Sequence, residues 1–84
     1  MRRQLTASLL SWKVLDIEPD EELQIKGGFI LSGICKPVTG KKLLEGERIF
    51  TSRVLSHSVE QLTKGVVVEV VGGSLYMLGQ PKSV

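Results

Sequence analysis

Val66-Val67-Val68-Glu69-Val70-Val71-Gly72-Gly73-Ser74-Leu75-Tyr76-Met77-Leu78 is the stretch on which the fold class turns. A β-branched run enters a pair of glycines, and a second apolar run leaves it. Tight hairpin turns need positive φ, which glycine adopts with no Cβ to clash. The stretch therefore predicts a β-hairpin. With Gly72-Gly73 as a two-residue loop, Val71 faces Ser74, Val70 faces Leu75, Glu69 faces Tyr76, Val68 faces Met77 and Val67 faces Leu78. Side chains alternate between faces along a strand. On that register Val66, Val68, Val70, Leu75 and Met77 make an apolar core face. Val67, Glu69, Val71, Ser74, Tyr76 and Leu78 make the reverse. That reverse is too apolar to be wholly solvated, so either the chain itself covers it or a partner does.

Further strands are legible upstream. Leu5, Leu9 and Trp12 fall at helical spacing, whereas Leu10, Trp12 and Val14 alternate as in a strand. A strand over 9–17 is the favoured reading, and Pro19-Asp20-Glu21-Glu22 closes it as a charged turn. The run from Leu23 to Lys36 is interrupted by Gly27-Gly28 and Gly33. The glycine pair reads equally as a kink that curls one long strand or as a turn between two. Residues 37–42 form a loop, and a strand follows over 47–56 with apolar residues on both faces. Ser58 with Gln61 has capping-box spacing, enough for one helical turn before Lys64-Gly65.

Eighty-four residues with 42% hydrophobic content make one small globular domain, residues 1–84, with 1–7 and 80–84 expected to fray. The fold class expected is all-β. It is a small curled antiparallel sheet or a five-stranded barrel of SH3 or OB size, with at most one short helical turn. The net charge is only +2, but five of the nine acids (Asp16, Glu18, Asp20, Glu21 and Glu22) crowd into seven positions. Eight bases against four acids follow from Lys26 onward. This is either an ordinary solvated loop or one pole of a surface that docks electrostatically.

Catalytic chemistry has little to stand on, and the expectation is a protein that is not an enzyme. His57 is the only histidine and Cys35 the only cysteine. Ser56 and Ser58 flank His57, yet neighbours on a strand point to opposite faces, which makes them poor partners for it. One Cys and one His supply no recognisable zinc spacing. Gly27-Gly28 is followed by neither a Lys-Ser/Thr pair nor a helix, so no phosphate loop and no cofactor are expected. A lone cysteine and the lack of any long apolar segment fit a cytoplasmic protein without a membrane span.

The stretch Gly46-Glu47-Arg48-Ile49-Phe50-Thr51-Ser52-Arg53-Val54, with Gly73-Ser74-Leu75-Tyr76-Met77-Leu78-Gly79, resembles a pattern in small phage and prophage accessory proteins. There a short β domain ends in a "Thr-Ser-x-Val" strand and a "Gly-Ser-x-Tyr-x-Leu-Gly" hairpin. The resemblance covers under a third of the chain and carries over no catalytic residue. It implies a mobile-element product that binds and blocks a host protein or complex in the host cytoplasm, as anti-CRISPR and other anti-defence inhibitors do.

Three functions follow from these readings. The first is a stoichiometric protein–protein interaction module, with Glu69, Val71, Tyr76 and Leu78 in contact and Glu18, Asp20, Glu21 and Glu22 steering. The second is a nucleic-acid-binding barrel using Lys41, Lys42, Arg48 and Arg53. The third is a self-assembling homo-oligomer that pairs through the hairpin edge or its outer face.

Overall fold

The structure, a computed structural model, describes residues 5–37 and 45–82. Five strands form one open mixed sheet: β1 (Ala7–Ile17), β2 (Gly28–Pro37), β3 (Arg48–Phe50), β4 (Val67–Glu69) and β5 (Leu75–Leu78). Their spatial order is β3-β2-β1-β5-β4, and every neighbouring pair is antiparallel except β1 with β5, which run parallel. A 3₁₀ turn, Val59–Gln61, is the only helical element among the described residues. The Gln61 side chain accepts from the Ser58 N–H at 2.9 Å, as the sequence spacing suggests. The all-β expectation holds, with one parallel pair in place of a purely antiparallel sheet.

The C-terminal hairpin forms where the glycines predict it, but one residue out of the expected register. Glu69 faces Leu75, Val68 faces Tyr76 and Val67 faces Met77. The Gly73 N–H donates to the Val70 carbonyl at 3.0 Å, and the Val70 N–H to Ser74 at 3.1 Å. The loop is therefore Val71-Gly72-Gly73, with both glycines at positive φ (97° and 91°). A one-residue slip sends every side chain of the returning strand to the other face. Tyr76 and Leu78 consequently turn inward with Val68 and Val70, and Leu75 and Met77 turn outward. Leu78 is 1% exposed and Met77 38%.

β1 resolves its own ambiguity with a bulge. Leu10 pairs with Ile34 and Lys13 with Ser32, so Ser11 and Trp12 together oppose Gly33. Ser11 takes a left-handed φ of 49° to make the step, the backbone form of a bulge that usually carries glycine there. The core-facing parity then changes from odd (Ala7, Leu9) to even (Trp12, Val14). No single periodicity could describe that run. Gly33 supplies the room opposite the bulge: a Cβ there would lie 3.2 Å from the Leu10 carbonyl oxygen and 3.3 Å from Trp12 Cβ.

Gly27-Gly28 is neither a mid-strand kink nor the turn. The β1–β2 turn is residues 21–24, closed by the Asp20–Ile25 bridge, and β2 begins at Gly28 opposite Ile17. The strand expected over 47–56 is regular only from Arg48 to Phe50. Beyond it the chain crosses a corner. The Thr51 and Val54 N–H groups still donate to β2 at Leu31 and Phe29, while Leu55 donates to Glu69 and the Val71 N–H to Arg53 on the β4 side. That segment spans the two margins of the curled sheet without closing it into a barrel.

Beneath this wrap lies the core: Leu9, Trp12, Phe29, Leu31, Val54, Val68, Val70 and Leu78. Both described ends make contacts with the sheet. Ala7 is buried at 1%, and the Thr6 N–H donates to Leu75 at 2.8 Å. At the other end Trp12 pairs with Pro81, and the Lys82 N–H donates to the Trp12 carbonyl. Residues 1–4 and 83–84 lie outside the described residues.

Candidate interaction surface

Cross-strand partners share a face, so the ladder determines what the outside of the sheet displays. One rung is Lys13, Ser32 and Phe50; the next is Leu10, Ile34 and Arg48; a third is Met77, Ser8 and Lys36. Val67 continues that third rung on β4. This convex face leaves Phe50 64% exposed, and Leu10, Val67 and Met77 each more than a third exposed. Phe50 is the most exposed of these apolar side chains and lies at the β3 edge; Leu10, Met77 and Val67 follow across β1, β5 and β4, with Arg48, Lys13 and Ser32 between Phe50 and Leu10.

Arg48 is fixed on this face. Its Nη1 donates to Ser32 Oγ at 3.2 Å, and its Nη2 reaches the Ser11 carbonyl at 3.4 Å, which the bulge turns outward. The guanidinium thus lies across β2 and covers Ser32, which is wholly buried although its side chain points to the convex side. Lys13, Lys36 and Arg48 make this face cationic, with Glu69 at its β4 margin.

Of the eight residues expected to bind a partner, the structure brings together two groups and removes two members. Glu18, Asp20, Glu21 and Glu22 are all exposed around the β1–β2 turn. Val71 is exposed in the hairpin loop, and Glu69 is half-buried on β4. Tyr76 and Leu78 are corrections: both face the core because of the register slip, and Leu78 has no surface to offer. Burial, followed by the nearby Cys35, pushes the Tyr76 phenol up, and a hydrogen bond from Ser74 opposes this.

Of the basic set expected for nucleic acid, the two described members, Arg48 and Arg53, lie apart. Arg48 pairs with Ile34, whereas Arg53 packs against Gly28, where a Cβ would lie 3.0 Å from Arg53 Cδ. Six residues of β2 separate those positions, about 20 Å of strand. Lys41 and Lys42 lie outside the described residues. The residues that sequence reasoning missed are Phe50, Leu10, Lys13, Lys36 and Met77; Val67 it placed on the reverse face of the hairpin, where the structure also has it. The outward direction of Leu10 follows from the parity change around Ser11 and becomes readable only once the bulge is located.

Ser56 and His57 correct a second expectation. Residues 55–58 are not strand, and Ser56 Oγ lies 2.7 Å from His57 Nδ1. The same hydroxyl accepts the Glu69 N–H at 2.8 Å, so it serves to tie the 55–58 segment to β4. Cys35 is buried in the sheet interior, where desolvation, followed by the charge of Glu45, raises its thiol. No hydrogen bond joins Cys35 to His57 among the described residues. Nor is any group of three or more His, Cys, Asp or Glu there placed to hold a metal. No helix among them is long and apolar enough to cross a membrane. No protein-family model, curated protein or solved structure matches the chain.

Proposed function

We propose that this chain is a non-catalytic binding module that engages a macromolecular partner through the convex face of its sheet. The observation that carries the reading is Phe50, 64% exposed on a field that includes Leu10, Val67 and Met77. Full burial of such a side chain from water is worth roughly 1.5–3 kcal/mol, of which a docked partner gains the share still exposed, largest at Phe50 and about a third at Leu10, Val67 and Met77. The resemblance to phage accessory proteins supports one version of this role, a mobile-element product that blocks a host defence complex in the cytoplasm. Contact then centres on Phe50 and Leu10, with Glu18, Asp20, Glu21 and Glu22 contributing to steering.

The test is quantitative capture from host extract with the wild type, Phe50→Asp and Leu10→Asp, each checked for native circular dichroism. The two convex-face variants should lose a specific partner that the wild type retains. Equal capture by all three folded proteins rejects the surface.

A nucleic-acid reading is favoured by one observation, the placement of Phe50 on one face with Arg48, two residues away on β3, and with Lys13, on the same rung across Ser32. It requires binding to a single-stranded oligonucleotide at low salt, with affinity falling steeply as salt rises. A face with one aromatic among several aliphatic residues is better matched to protein side chains than to a run of stacked bases.

A further inference from the structure

We propose that the convex face also accepts the acidic β1–β2 turn of a second copy of this chain, giving head-to-tail self-association. The turn is an ordered projection. Asp20 and Ile25 exchange backbone hydrogen bonds of 3.0 and 2.8 Å, and the Leu23 N–H donates to Asp20 Oδ1 at 3.2 Å. It displays two apolar side chains among four carboxylates: Leu23 is 69% exposed and Ile25 42%. A leucine held at the tip of a charged turn is an anchor without a pocket in its own subunit.

The convex face supplies the complement. Leu10, Phe50 and Met77 offer apolar contact, and Lys13, Lys36 and Arg48 surround them with positive charge. Within one copy the turn lies beyond the Ile17–Gly28 end of the β1–β2 ribbon. Lys13 and Phe50 are four residues along it, about 13 Å of strand, and Lys36 is eight residues along it, about 26 Å, so most of the face lies beyond the reach of its own turn. Pairing two convex faces directly would oppose the same three cations, so charge favours turn-on-face docking over a symmetric dimer.

Such a contact uses different patches on the two copies and does not close at a dimer. A turn of about eight residues buries much less than the ~1,600 Å² of a standard interface, so the association is of the weak, transient kind. It would compete with any larger partner for the same face.

The experiment is sedimentation equilibrium of the full chain up to about 1 mM, at low salt and at about 0.5 M salt, where exposed charges are screened. The average mass should climb above the 9.2 kDa monomer with concentration at low salt and return toward it at high salt. Glu21→Lys/Glu22→Lys and Lys13→Glu/Lys36→Glu should each remain monomeric, and mixing them should restore growth. Leu23→Ser should weaken growth without altering the circular dichroism. A monomer throughout overturns the inference, as does growth indifferent to salt and to both charge reversals. Either result leaves partner binding to be decided separately, by capture with the Phe50 and Leu10 variants.

Discussion

Val68 lies directly opposite Tyr76 across the β4–β5 hairpin, and this pair places Leu78 rather than Met77 inside the protein. The consequence is measurable as a ranking. Leu78→Ala removes a fully buried side chain and should cost about 2–5 kcal/mol. Met77→Ala, on the convex face, should stay within about 1 kcal/mol. Urea unfolding followed by circular dichroism gives both values. The reverse order would mean that the loop holds two residues and the strand faces the other way.

The neighbouring strand makes a second prediction. The Trp12 indole Nε1–H donates to the Gly79 carbonyl at 2.8 Å, and the Gly79 N–H donates to the Leu9 carbonyl at 2.8 Å. This laces the chain after β5 onto β1 beside the bulge. Trp12→Phe retains an aromatic ring but strands the carbonyl, at a cost of about 1–3 kcal/mol. Amide exchange at Gly79 and Lys82 should accelerate more than exchange at Leu31, whose N–H is held by Thr51 Oγ1 and not by the C-terminal tail. Uniform acceleration would show that the tail has no local stability of its own.

These contacts indicate what a single sequence can yield. Gly72-Gly73 announces a turn because positive φ is a local demand, and the acidic turn announces itself through proline and carboxylates. The register is out of reach because two adjacent glycines fit both a two-residue loop and the end of a three-residue loop. The choice depends on whether Val71 leaves the ladder. The bulge at Ser11 is hidden because serine there carries no glycine-like signal. The parallel pairing of β1 with β5 is encoded by no short-range pattern at all. The convex face inherits both gaps: the two-residue loop wrongly assigns it Tyr76 and Leu78, and an unbroken β1, with Leu10 on the same face as Trp12, turns Leu10 inward.

The bulge itself can be tested at Ser11 and Gly33. At φ 49° a β-branched side chain is strained, so Ser11→Val should destabilise by about 1–3 kcal/mol, while Ser11→Gly should be tolerated. Gly33→Ala places a methyl within 3.2 Å of the Leu10 carbonyl oxygen and of Leu9 Cβ, and overpacking there should cost about 1–3 kcal/mol. Thermal melts of the three variants check this. A neutral Gly33→Ala would mean that the strands separate freely at the bulge.

Arg48 and Ser32 form a coupled pair. The guanidinium both covers the serine hydroxyl and donates to it at 3.2 Å, and Ser32 is wholly buried. Arg48→Ala should cost about 1–3 kcal/mol through lost cover and a lost donor. In a Ser32→Ala background the same change should cost less, since no hydroxyl remains to be stranded. A double-mutant cycle with no coupling would reduce Arg48 to an ordinary solvated base.

Tyr76 sets an alkaline limit. Its phenol is raised in the folded protein, chiefly by burial, so the unfolded chain loses that proton first, from about pH 10. A raised folded value gives stability that is intact below the unfolded value and declines as pH rises through the folded one. Cys35 acts with the same sign from about pH 8.5, because burial and then Glu45 raise its thiol. Stability measured by urea should therefore fall in two stages above those values. Tyr76→Phe should remove the upper stage and leave the lower one, and Cys35→Ala should do the opposite. A wild-type decline above about pH 10 that Tyr76→Phe leaves unchanged would mean that the phenol is solvated, and with it that β5 turns Tyr76 outward.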